Sequence, residues 1–208
     1  MHLKRTKDEM ASAVTHAAGV VLSIAGGAAL ITLAVLSGSS YAIVGTAVFS
    51  ASLVLLYSAS TAYHMSLRDV ARRRLKVFDH CAIYVLIAGT YTPLTLIALR
   101  GAWGWTLFGI VWGLALAGVV FKLFFTGRFP RLSTAIYIGM GWLVLIAAGP
   151  LVRAMDPAAL VWLVAGGLAY TGGTAFYHSR RVPYAHAVWH VFVIAGSVCH
   201  AMAVGIQI

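Results

Sequence analysis

The sequence predicts an all-α fold: a bundle of seven transmembrane helices, N-terminus cytoplasmic and C-terminus outside. Three observations lead there. Hydrophobic residues make up 61% of the 208 and charged residues only 10%, where a soluble domain would be roughly a quarter charged. The apolar residues fall into seven runs of roughly 20 residues, the length needed to cross a hydrocarbon core as a helix. Of the 15 Lys and Arg residues, 13 fall on one side of those runs and 2 on the other, which sets orientation by the positive-inside rule.

Residues 1–11 form a polar cytoplasmic arm carrying Lys4, Arg5, Lys7, Asp8 and Glu9, and residues 12–208 form a single membrane domain. The arm is polar and the run after it is of span length, so a cleaved signal is not expected. The first span covers about 12–36 and stops at the turn signal Ser37-Gly38-Ser39-Ser40. The second covers about 41–64, and a basic loop with Arg68, Arg72, Arg73, Arg74 and Lys76 follows. The third, about 77–99, contains Pro93, which removes a backbone donor and should kink the helix. The fourth and fifth cover about 103–125 and 132–152, joined by a loop with Arg128, Pro130 and Arg131. Asp156-Pro157 reads as an N-cap and an N1 proline opening the sixth, about 158–178. Ser179 to Pro183 is the last loop, and 184–208 is the seventh span.

The net charge of +10 does not indicate nucleic-acid binding, because the cations lie in short loops between apolar runs, where topology signals belong. Cys81 and Cys199 fall in different spans at different depths, so a disulfide is not expected and packing roles suffice.

Chemistry is suggested by His186-Ala-Val-Trp-His190 at the head of the last span. Histidines four apart share one helix face, and imidazoles at a span's mouth are costly unless they bind something, a metal above all. The bland alternative is interfacial snorkelling. Topology adds His16, His64, His80 and His178 to the same membrane face, so six of the eight histidines lie within about two turns of it. Of the five acids only Asp79 is committed to a span. An intramembrane carboxylate pairs, binds metal or handles protons. The bland alternative for Asp79 is an interfacial ion pair with its basic neighbours Arg74 or Lys76. Three histidines with a water complete an open zinc site, and His64 is the best third ligand beside His186 and His190. Ser60 lies one turn before His64, where a hydroxyl could hold the water or orient a ring. Asp79 would then take the water's proton. His80, adjacent to Asp79 in sequence, is expected to point elsewhere. His16 and His178 read as interface residues and His200 as a hydrogen-bonded core residue.

Taken together, Glu9, Thr15-His16 with Gly19, Ser60-Thr-Ala-Tyr-His64, Phe78-Asp79-His80, Ala88-Gly-Thr-Tyr-Thr-Pro93 and His186 to Gly196 followed by His200 resemble the progestin and adiponectin receptor (PAQR) superfamily, in its bacterial hemolysin III-like branch. The resemblance spans essentially the whole chain. It implies a seven-helix bundle with a cytoplasm-facing zinc site on His64, His186 and His190, beside the motif residues Ser60 and Asp79. The superfamily is also similar to alkaline ceramidases, which implies zinc-dependent hydrolysis of a lipid amide or ester. His80 and His178 depart from the expected pattern. The expected location is the inner or plasma membrane and the expected partner a membrane lipid, with no nucleic acid. Two alternatives stand beside the hydrolase: a non-enzymatic sensor or regulator of membrane lipid state and energetics, and a hemolysin-type pore. Loops this short leave little surface for a protein hormone.

Overall fold

The computed structural model describes residues 7–179 and 181–208. Seven long apolar helices run through them: α1 (Lys7–Leu36), α2 (Ser40–Met65), α3 (Asp69–Ala98), α4 (Ala102–Phe125), α5 (Pro130–Ala154), α6 (Pro157–Tyr177) and α7 (Ala185–Gln207). Each is long and apolar enough to cross a membrane, and the chain is a multi-pass membrane protein. Large apolar side chains such as Val21, Leu22, Leu116, Phe124 and Val161 point outward, as a lipid-facing surface requires.

The sequence accounts for several ends. The Ser39 side chain accepts from the Ala42 N–H and caps α2, while Gly38, at φ 68°, takes the left-handed turn before it. Asp156 caps α6 by accepting from Ala158 N–H at 2.7 Å, with Pro157 at N1, as the dipeptide predicts. Two expectations need correcting. Arg72, Arg73, Arg74 and Lys76 are helical rather than in a loop, because α3 begins at Asp69 and only residues 66–68 connect it to α2. Arg and Lys are good helix formers, and an acid in the first turn favours the start. The helix also extends past the apolar run at the other end, where α1 starts at Lys7. The first six residues of the arm, with His2, Lys4 and Arg5, lie outside the described residues, as does Arg180. At Pro93 the α-helix ends and one π-helical turn, Leu94–Ala98, continues the span.

The fifth span is not continuous. An α-helix over Pro130–Gly141 gives way to a 3-10 stretch, Leu143–Ala147, and resumes at Ala148–Ala154. Pro150 has no N–H to donate, and restarting at Ala148 puts it in a first turn where that donor is unneeded. The interruption exposes backbone groups at membrane depth, and the buried Tyr91 of α3 takes them up. Its hydroxyl faces the Met140 and Gly141 carbonyls at 3.0 and 2.8 Å and accepts from the Val144 N–H at 2.8 Å. Tyr91→Phe therefore leaves the Val144 N–H and the Gly141 carbonyl without this partner at membrane depth. Stability should fall by about 2–3 kcal/mol, read as a lower unfolding midpoint in detergent.

Two buried clusters hold the bundle. One joins Phe49, Leu53, Leu56 and Tyr57 of α2 to Leu30, Ala82, Leu86, Val193 and Val204, tying α1, α3 and α7 around α2. The other packs Tyr84, Ala88 and Tyr91 of α3 on Leu107, Val111 and Ala115 of α4 and on Met140 and Leu151 of α5. At the first cluster, Gly19 lets α1 lie against the Tyr57 ring. A Cβ there would come within 2.7 Å of it. Tyr57 is then pinned by Ser197 of α7, oxygen to oxygen 2.6 Å. This packing brings the starts of α1, α3 and α7 to the same end of the bundle as the end of α2.

Candidate metal centre

His186 and His190 occupy successive turns of α7, directly after Tyr184, whose φ of 55° is the one left-handed backbone among the described non-glycine residues. That conformation is unfavourable for a bulky side chain and aims the chain into the helix. His64 sits in the last turn of α2. The three rings converge, with centroids 4.6 Å apart for His186–His190, 5.0 Å for His64–His186 and 5.1 Å for His64–His190. Each offers a nitrogen, and these atoms lie within 4.8 Å of one another.

The donor set fits a divalent ion such as zinc. His64 is 3% exposed and His190 fully buried, yet the Nε2 atoms of both lack a hydrogen-bond partner among the described residues. Buried polar atoms are normally satisfied, and an ion shared by these neighbouring rings would satisfy both orphaned nitrogens. Their Nδ1 atoms are engaged. His64 Nδ1 lies 2.8 Å from Glu9 Oε2, and His190 Nδ1 lies 3.1 Å from the Ser12 carbonyl and 3.3 Å from Thr15 Oγ1. Glu9 in turn receives Arg72 Nη2 at 2.7 Å.

Ser60 is 1% exposed, one turn before His64 on α2. Asp79, about three turns into α3, lies mostly buried, and its Oδ2 stands 3.1 Å from His80 Nδ1. His80 was expected to point away. Its ring instead folds back on its own neighbour, at ion-pair distance though without the alignment of a hydrogen bond. Among the described residues this replaces the pairing of Asp79 with Arg74 or Lys76. His178 is held apart from the cluster, 3.0 Å from Thr134 Oγ1.

His16 is not the interface residue that its position at the head of the first span suggests. It is 2% exposed and stacks on His190 with centroids 3.4 Å apart and planes 10° from parallel. Both its nitrogens lack partners among the described residues, and the Tyr57 ring meets it edge-on at 4.9 Å. The one signal available for this role was its place in Thr15-His16 on the same membrane face as the other histidines.

Below the centre a cavity of about 140 Å³ runs between α3, α5, α6 and α7. Asp79 and His16 stand at one end, and Tyr91, Trp142 and His200 lie further in. Its wall on α7 runs from Trp189 to His200, so the cavity extends roughly 16 Å into the bundle. Most of its wall is aliphatic or aromatic, the environment a hydrocarbon chain prefers.

The sequence profile of the family described as Haemolysin-III related matches residues 4–201. The chain belongs to the haemolysin-III family. Within it, the protein is similar to the Hemolysin-3 homolog of Bacillus subtilis (strain 168), 48% identical over 92% of this chain and 90% of that one. It is also similar to Hemolysin-3 of Bacillus cereus, at 44% identity over 92% and 87%. A more distant relative is the human Monocyte to macrophage differentiation factor, 26% identical over 95% of this chain and 83% of that protein. These matches run through the histidine-bearing helices of this haemolysin-III protein, so the centre belongs to the region it shares with its relatives.

Proposed function

We propose that this haemolysin-III protein is a zinc-dependent hydrolase of a lipid amide or ester, its centre facing the cytoplasm. The observation that carries the reading is three converging imidazoles beside an apolar cavity, whose wall includes the Asp79 carboxylate and His16, the ring stacked on His190. Zinc held by His64, His186 and His190 would supply a polarised carbonyl and an acidified water. The chain's own groups do the rest. Asp79 turns Oδ2 toward His80, leaving Oδ1 to accept a proton from the attacking water and return it to the leaving nitrogen or oxygen. The Ser60 hydroxyl, buried one helical turn before His64, orients the water or steadies the oxyanion. The cavity holds an acyl chain and keeps bulk water from the scissile bond. The excess of cations at this end supports the cytoplasmic orientation.

One observation favours a second reading. The cluster joins α2 and α7 directly and α1 through Glu9 and Ser12, so an ion could serve mainly to lock helices in a sensor of membrane lipid state. The experiment is lipid profiling of liposomes carrying the purified protein, with and without a zinc chelator, alongside release of an entrapped dye. A hydrolase yields free fatty acid or lyso-lipid that the chelator abolishes, with no dye release. Unchanged lipids with a metal-loaded protein would leave the sensor, and dye release without lipid products would leave the pore.

A further inference from the structure

We propose that α1, which contributes no ligand, sets the metal affinity of the centre by fixing the tautomers of His64 and His190, with Glu9 as the principal positioning residue. The inference rests on the metal-site reading above and adds residues outside the ligand set.

A neutral imidazole carries one N–H and one lone pair, and which nitrogen holds which decides whether the ring can ligate from a given atom. The Glu9 carboxylate only accepts, so at 2.8 Å it requires the proton of His64 to sit on Nδ1. The lone pair is then on Nε2, the buried atom that has no partner among the described residues. The Ser12 carbonyl also only accepts, and at 3.1 Å it imposes the same tautomer on His190. Thr15 reinforces this: its hydroxyl donates to the Ala11 and Ser12 carbonyls, so toward His190 Nδ1 it too is an acceptor. Both ligand nitrogens therefore present lone pairs to the same point. His16, flat against His190, restricts rotation of that ring about the same axis.

Glu9 is itself held. Arg72 of α3 reaches Glu9 Oε1 at 2.7 Å, and its other terminal nitrogen lies 3.4 Å and 3.5 Å from the Tyr63 and Ser66 carbonyls at the end of α2. One guanidinium thus fixes both the carboxylate and the turn that carries His64. Carboxylates behind metal-bound histidines raise ligand basicity and hold the ring, and losing one typically costs 10–100-fold in metal affinity. The bland alternative is that Glu9 and Arg72 merely bridge three helices.

The test uses the full-length protein in detergent, with zinc alone as the probe. Zinc affinity is measured by competition with a chromophoric chelator, and unfolding temperature with and without zinc. Glu9→Ala should lower zinc affinity roughly 10–100-fold, and shrink the zinc-induced rise in unfolding temperature, while the metal-free unfolding temperature stays near wild type. Glu9→Gln, which keeps an acceptor oxygen, should lose less, and carries the test if the alanine variant does not fold. Arg72→Ala should weaken zinc binding in the wild-type background and cost less in the Glu9→Ala background, where only its contacts to the Tyr63 and Ser66 carbonyls remain to be lost. A helix bridge predicts the reverse, a lower metal-free unfolding temperature with zinc affinity unchanged, and that outcome overturns the proposal. Failure of the wild-type protein to bind zinc at all would instead overturn the metal-site reading, and this proposal with it.

Discussion

Replacing His186 and His190 together by alanine is expected to remove bound zinc: about one ion per chain in the unmodified protein should fall to background. Both rings end in the same cluster, and His64 alone cannot retain an ion against water. The effect should exceed that of any change outside the ligand set, because the cluster has three converging imidazoles and the double variant leaves one. The helical fold should persist, since the two buried packing clusters contain neither histidine. Elemental analysis of purified protein and its circular dichroism report the two quantities separately. Wild-type zinc content in the double variant would dispose of the site.

Asp79→Asn is expected to keep zinc and the fold while lipid turnover falls roughly 10²–10⁴-fold, the usual worth of a positioned general base. Asparagine has nearly the same shape, so packing at the cavity mouth is preserved, yet its amide cannot take a proton from water. The nearest ion-pair partner of Asp79 is its sequence neighbour His80, not a ligand of the cluster, so the metal should not notice the change. If turnover continues at the wild-type rate, Asp79 is not the base. If zinc is lost, the carboxylate belongs to the metal's own surroundings and the assignment of roles changes.

Both predictions depend on residues from distant parts of the chain, which bears on what could be read in advance. The His186/His190 pair is legible in one dimension, because helical spacing alone puts both rings on one face. His64 needed one step more, the alternation of spans that returns the end of α2 to the face where α7 begins. Each step is local physics, hydropathy and period, which a linear sequence carries directly. His16 illustrates the limit: its distance from His190 depends on how α1 rolls against α7, and that roll is set by Gly19 nesting on Tyr57. The Glu9–His64–Arg72 chain likewise joins three helices whose order in space no spacing rule supplies.

By itself, then, the sequence determined that this chain crosses the membrane seven times, where most spans start and stop, and that its histidines gather at one end of the bundle. Burial in lipid forces those features residue by residue. Tertiary structure decided the rest: which nitrogens are free, that Tyr91 mends the break in α5, and that a helix without ligands hydrogen-bonds the ligand rings. These follow from contacts between side chains far apart in sequence, whose geometry is fixed only when the helices pack.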